Sequence, residues 1–161
     1  MTALFSKTVS SPVGFLILES SETALKSIRF SKVPYEPSKI VPDILKETET
    51  QLNEYFSGER FDFNLKLEPE GTEFRKRVWE LLRAIPYGET TTYKALALKL
   101  GSSAYTRAVG LANGSNPIAV VIPCHRVIGE GGRLVGYAGG IERKKQLLLH
   151  ELDHLKKGLL F

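Results

Sequence analysis

Cysteine is nearly missing from this chain. Of 161 residues, one is cysteine, one methionine, one tryptophan and three histidine. A lone cysteine excludes an internal disulfide and any cysteine-rich zinc site. The histidines, at 125, 150 and 154, all follow Cys124, so the first two-thirds of the chain offers no cysteine or histidine to bind a metal. Long apolar runs are missing as well. No stretch approaches the roughly 18 apolar residues that a membrane-spanning helix needs. The opening residues, Met1-Thr2-Ala3-Leu4-Phe5-Ser6-Lys7, show no basic segment followed by an apolar one, so no secretory signal is expected. A free thiol suits a reducing compartment, and a cytoplasmic location is the expectation.

What is present is the composition of an ordinary globular protein, 42% hydrophobic and 25% charged. The length allows one compact domain or two small ones. A formal charge of +4 favours a polyanionic partner without identifying one.

The first half patterns as a small α/β unit. Leu4 to Val9, Phe15 to Leu18 and Leu25 to Phe30 are short β-type runs, the first two joined by the turn residues Ser10 to Gly14. Pro34, Pro37 and Pro42 interrupt the next stretch. Asp43 to Phe56 reads as a helix with Leu45, Leu52, Tyr55 and Phe56 on one side and Gly58 at its end. Phe61, Phe63, Leu65 and Leu67 alternate with polar residues, which predicts a half-buried strand. This half has no histidine and only scattered carboxylates, so it reads as a support. Glu68-Pro69-Glu70-Gly71 is the linker candidate.

The second half patterns as helices. Thr72 can cap a helix with Phe74, Val78, Leu81 and Leu82 inward and Trp79 beside them. Thr91 or Thr92 can cap Tyr93 to Leu100, and Ser102 or Ser103 can cap Ala104 to about Asn113. Two short helices across a glycine turn suit a helix-turn-helix, and equally an ordinary helix connection. Ala104, Ala108, Gly110 and Ala112 give the second helix a side with little bulk, as happens where another backbone, a DNA groove or a helix, comes close. Ile118 to Ile122 predicts a buried strand, broken by Pro123 so that Cys124 stands at an element end. The glycine-rich stretch after Arg126 predicts a loop with a hairpin; it lacks the pattern of a phosphate-binding loop. Ile141 to about Leu155 predicts a last helix with Leu147, Leu148, Leu152 and Leu155 on one face. Glu151 falls on that apolar face, where a carboxylate needs a partner. Cysteine nucleophiles work as thiolates, and a neighbouring base oriented by a carboxylate supplies them. Cys124, His125 and Glu151 are the residue types for that task.

Ile122-Pro123-Cys124-His125-Arg126, the Ile85-Pro86-Tyr87-Gly88-Glu89-Thr90 run and Arg107-Ala108-Val109-Gly110 together resemble the O6-alkylguanine-DNA alkyltransferases. The resemblance runs from about Thr72 to Glu151 and more weakly through the first half. It implies an α+β two-domain fold. Residues 1–68 would form a ribonuclease-H-like structural domain, and residues 69–161 a mainly helical, winged helix-turn-helix domain for DNA binding and alkyl transfer. The implied activity is DNA repair: stoichiometric, irreversible transfer of the alkyl group from O6-alkylguanine, with O4-alkylthymine a further candidate, to Cys124 after the nucleotide is flipped.

By resemblance, His125 is the base and Glu151 its orienter. Asn116 ties the active-site turn to the preceding helix. Tyr93 crowds a phosphate and donates a proton to the leaving guanine. Arg107 enters the base stack, with Ser103, Ala108 and Gly110 along the minor groove of double-stranded DNA. Tyr137, Val127, Ala138, Gly139 and Pro123 would border the base; Ala138 stands where many members have serine. Some members carry zinc in the N-terminal part; no metal and no cofactor are expected here. A monomer working on nucleoid DNA in a prokaryotic cytoplasm is the implied setting. Related damage sensors, which bind alkylguanine without repairing it, replace the cysteine, and Cys124 argues against that alternative.

Overall fold

The computed structural model describes residues 4–159, so the first three positions of the opening segment lie outside the described residues. The chain divides into two units, one of residues up to Glu70 with Pro117–Ala119, the other of Gly71–Asn116 with the residues from Val120 onward.

In the first unit, β1 (Phe5–Ser11), β2 (Gly14–Ser20) and β3 (Leu25–Ser31) form an antiparallel sheet in that order. The Ser11 hydroxyl closes the first turn by donating to the Gly14 carbonyl and accepting from the Val13 amide. α1 (Asp43–Phe56) packs on the sheet through Leu45, Leu52 and Tyr55, as its spacing predicts, and through Thr48 and Gln51. The strand predicted over Phe61 to Leu67 does not form. Only Leu67 makes a β-bridge, to Leu25. The reason is Gln51, whose side-chain amide donates to the Asn64 carbonyl and accepts from the Asn64 N–H. A ladder partner is thereby replaced by a side chain.

The predicted strand at 118–122 also reduces to one bridge, Ile118 to Ile28. The chain then turns, and Val120 takes a φ of 70°, a left-handed value rare for a β-branched residue. All five residues are buried. Their apolar character reports burial, not an extended backbone.

In the second unit, α2 (Glu73–Arg83) is capped by Thr72, whose hydroxyl accepts from the Arg75 N–H. Thr92 caps α3 (Tyr93–Lys99) in the same way. A 3-10 turn at Ser103–Tyr105, capped by Ser102, leads into α4 (Thr106–Gly114); the helix predicted from Ala104 therefore starts one turn tighter. β4 (Thr91–Thr92) pairs in parallel with β5 (Val127–Ile128). Trp79, predicted beside the core, is buried in it and donates from Nε1 to the Ala112 carbonyl at 2.9 Å.

α5 (Ile141–Leu159) runs longer than predicted, and its inner stripe differs. Leu152 is 41% exposed, while Lys144, Leu147 and Glu151 are fully buried. The predicted hairpin in the glycine-rich stretch is absent. A 3-10 turn at Glu130–Gly132 is closed by the Gly132 N–H donating to the Gly129 carbonyl, the Gly129 N–H donates across it to the Arg133 carbonyl, and an open loop follows. β5 is only two residues long and already paired with β4, so nothing anchors a hairpin there. Among the described residues no helix is long and apolar enough to cross a membrane.

The Trp79 bond gives a test. Trp79→Phe keeps most of the buried ring and removes the indole donor, while Ser115 still donates to the Ala112 carbonyl, so chemical denaturation followed by circular dichroism should show a loss of about 0.5–1.5 kcal/mol.

Candidate active site

Cys124 sits at the mouth of a very tight turn. Its N–H donates to the Ile122 carbonyl at 2.8 Å across Pro123, which has φ −81° and ψ 64°. These are the values of an inverse γ-turn. The Asn116 side-chain amide donates to the same Ile122 oxygen, also at 2.8 Å, and Asn113 makes a longer 3.5 Å contact to the Cys124 carbonyl. The turn is thus held from the C-terminal end of α4. Cys124 is 6% exposed. Burial pushes its thiol up, while a hydrogen bond from Asn116 and the nearby charge of Lys144 oppose that rise.

Behind the turn lies a buried cluster around Glu151. The carboxylate meets His125 Nε2 at 2.7 Å and accepts from Arg126 Nε at 2.8 Å, from the second Arg126 nitrogen at 3.0 Å, and from the Gly88 N–H at 3.2 Å. Arg126 also donates to the Ile85 carbonyl at 2.7 Å, and its guanidinium stands 5.6 Å from the Tyr87 ring centre. Burial alone would raise the Glu151 carboxyl; the bonds and charges of His125 and Arg126 reverse this and hold it well below the carboxylate range. Burial lowers His125 despite its carboxylate partner, so the imidazole is neutral near pH 7. With Nε2–H donated to Glu151, the basic nitrogen is Nδ1, which has no hydrogen-bond partner among the described residues. Burial, with the Glu151 charge, pushes the Tyr87 hydroxyl up to about 12. Gly88 is required here: φ is 78°, and a Cβ would stand 2.6 Å from Leu155.

A cavity of about 430 Å³ opens beside α4, lined by Tyr93, Arg107, Gly110, Val135, Gly136 and Tyr137 among others. Tyr93 donates to the Val135 carbonyl at 3.1 Å. Burial and then the proximity of Cys124 raise the hydroxyls of Tyr93 and Tyr137, so both stay protonated. Of the other predicted pocket residues, Pro123 and Val127 are buried in the turn, Ala138 is exposed and Gly139 half-buried.

The outer side of α4 carries Arg107, exposed and in no ion pair among the described residues, with Gly110, Leu111 and Gly114. Ala108 is half-buried, Ala112 buried, and Ser103 exposed in the turn before the helix. A Cβ added at Gly110 would meet nothing nearer than Tyr93 at 3.9 Å, and one at Gly114 nothing within 4 Å. Among the described residues only the Tyr93 ring of α3 comes near Gly110, at ordinary contact distance, so close internal packing does not account for the missing bulk.

The structure therefore brings Cys124, His125, Glu151 and Asn116 around one turn, and Tyr93, Arg107, Gly110 and Tyr137 around one cavity. Sequence reasoning missed Lys144, Asn113, Tyr87 and Gly88. For two of them a signal existed: Lys144 precedes Leu147 and Glu151 by three and seven residues on α5, and Asn113 follows Val109 by four on α4, both inward spacings.

Two family models cover the chain: "6-O-methylguanine DNA methyltransferase, ribonuclease-like domain" matches residues 4–69, and "6-O-methylguanine DNA methyltransferase, DNA binding domain" matches residues 73–152. The chain is 46% identical to a methylated-DNA–protein-cysteine methyltransferase of Mycolicibacterium paratuberculosis, over 92% of each chain. It is equally identical to one of Methanosarcina barkeri, over 92% of this chain and 97% of the relative. The crystal structure of the Mycobacterium tuberculosis O6-methylguanine methyltransferase superposes with a TM-score of 0.85 at 44% identity, covering 94% of both chains. That of Mycobacterium tuberculosis OGT in complex with DNA gives 0.84 at 44%, over 92% of this chain and 93% of the other.

The depressed Glu151 carboxyl sets an acid limit. A carboxyl whose folded pKa lies below its unfolded value, about 4.3, stabilises fully above that value and stops doing so as pH falls. Stability should drop below about pH 5. Glu151→Gln leaves Arg126 buried without its countercharge, at a cost of about 3–5 kcal/mol at neutral pH, and should shrink the acid-dependent loss. Denaturation midpoints from neutral to acid pH check both.

Proposed function

The chain belongs to the family of 6-O-methylguanine DNA methyltransferases, and on that premise we propose that it repairs DNA by transferring the alkyl group of O6-alkylguanine to Cys124. The observation that carries this reading is the state of His125. Glu151 meets its Nε2, and the unpartnered Nδ1 is left as the base for the Cys124 thiol, directly or through a water.

The reaction balances with side chains alone. The Cys124 thiol gives its proton to His125 Nδ1, and Glu151 stabilises the imidazolium that forms. The thiolate attacks the alkyl carbon, a carbon–sulfur bond forms, and the carbon–oxygen bond breaks with its electrons on guanine. Tyr93, kept protonated by burial, supplies a proton to the leaving base. The thioether has no good leaving group, so each chain reacts once.

The buried cysteine requires the nucleotide to leave the duplex, at a cost of about a few kcal/mol. The exposed Arg107 fills the stack, and the small outer side of α4, with Ala108, Gly110 and the Ser103 turn, follows a minor groove that bulky side chains could not enter. Val127, Tyr137, Ala138, Gly139 and Pro123 border the base, with Ala138 offering a backbone contact in place of a hydroxyl. Asn116 keeps the turn in register with α4. Residues 1–68 act as a support and 69–161 carry the reaction. The protein works as a monomer on cytoplasmic, nucleoid DNA.

Incubation with excess duplex DNA containing O6-methylguanine should add a single methyl per chain by intact mass, with none on Cys124→Ser. Arg107→Ala should leave the fold intact and slow transfer by about tenfold or more, about 1.4 kcal/mol of transition-state stabilisation. Gly110→Val should weaken DNA binding with little change in melting temperature. Repeated turnover, or methyl on the serine variant, would refute the reading.

A further inference from the structure

Leu111 breaks the pattern of the face it stands on. The outer side of α4 is otherwise small, with Ala108, Gly110 and Gly114, or charged, with Arg107. Leu111 is a full leucine there, 68% exposed. It borders the cavity of about 430 Å³ together with Tyr93, Arg107 and Tyr137. A leucine scattered on a surface needs no explanation. This one stands at the rim of the candidate active site, on a helix inside the DNA-binding domain matched at residues 73–152.

Its spacing sets what it meets. Leu111 follows Arg107 by four residues, so the two project from one face of the helix, about 6 Å apart along its axis. Stacked base pairs rise about 3.4 Å each. A helix lying along the groove therefore sets Leu111 about two base pairs from the place that Arg107 fills. The side chain has no donor or acceptor, so it can neither read a base edge nor bind a phosphate. A narrow minor groove cannot take it undistorted. Aliphatic side chains in a minor groove act as wedges: they enter a base step, unstack it in part and kink the duplex toward the major groove. Removing the leucine from water adds to the gain.

We propose that Leu111 is a second, apolar wedge beside Arg107, and that it makes repair depend on the flexibility of the base step about two positions from the alkylated guanine. This rests on the reading of α4 as the minor-groove helix. Pyrimidine–purine steps such as TA open easily, whereas A-tracts are stiff with a narrow groove. A TA step under Leu111 lowers the cost of wedging and a stiff step raises it. Sequence context then enters without a contact to any base edge.

Duplexes with O6-methylguanine between constant neighbours, and a TA or an AA step at the second and third pairs on either side in turn, test this. Single-turnover methyl transfer should be about threefold or more faster for TA on one side of the lesion. Leu111→Ala should lose that preference and keep its melting temperature, and Leu111→Met should retain the preference. In the unreacted complex of Cys124→Ser, 2-aminopurine placed in the step should brighten as it unstacks, and should stay dark when Leu111→Ala is added. A parent protein indifferent to the step on both sides, or a Leu111→Ala protein that prefers TA and brightens as the parent does, overturns the proposal and leaves Leu111 an ordinary surface leucine. A Leu111→Ala protein altered only in the steepness of its DNA-binding curve also overturns it, in favour of a contact between copies. A parent protein that takes no methyl but brightens the step through Leu111 would remove the alkyl-transfer reading and leave the wedge standing.

Discussion

A carboxylate in the interior with four hydrogen-bond donors around it is the constraint on which the second unit turns. Glu151 reaches the core only because α5 presents it beside Leu147. Once there, it must be met by groups that replace water. His125 and Arg126 come from the turn after Pro123, and the Gly88 amide from the segment after α2. Three stretches remote in sequence are thereby fixed relative to one another, and Cys124 inherits its place from the two residues that follow it. The charge balance is part of the design. Arg126 neutralises Glu151 with a paired, two-point contact, so that His125 stays neutral without leaving the carboxylate uncompensated.

Burial of the thiol has opposing consequences. It protects a single cysteine from adventitious oxidation and raises the cost of forming thiolate. The surrounding groups offset that cost in different ways: a hydrogen bond from Asn116, the nearby charge of Lys144 and, in the proposed function, a base at His125. The turn itself is rigid, closed by a two-residue hydrogen bond and entered through Val120 at a left-handed φ of 70°. Backbone strain of this kind is kept only where the surroundings over-determine it, and Val120 is buried among buried neighbours.

The outer side of α4 follows a different rule. Glycine in a helix interior costs about 1 kcal/mol relative to alanine, and Gly110 is not needed for a neighbour in the chain. The same helix buries Val109, Ala112 and Asn113 on its other side. One short helix therefore joins the nucleic-acid face of the proposed function to the turn that holds the nucleophile.

Much of this was legible along the chain. The caps at Thr72 and Thr92, the helix starts and the acid on an apolar stripe are local patterns, and local patterns survive folding because they depend on residues a few positions apart. Resemblance supplied the roles of Cys124, His125, Arg107 and Tyr93, which composition alone left open. What failed were inferences from apolar content to strand. Phe61 to Leu67 alternates, yet Gln51 takes the backbone of Asn64; Ile118 to Ile122 is all apolar, yet it turns. Burial and extension leave the same mark in sequence, and only the distant partner separates them. The glycine-rich loop and the inner place of Lys144 were decided in the same way, the Val135 and Gly136 carbonyls accepting from the Lys144 ammonium and the Val135 carbonyl also from Tyr93. By itself the sequence determined where the helices form and which residue types they offer for chemistry. The tertiary structure decided which charges are compensated, because a buried ion's partner is chosen by space and not by position in the chain.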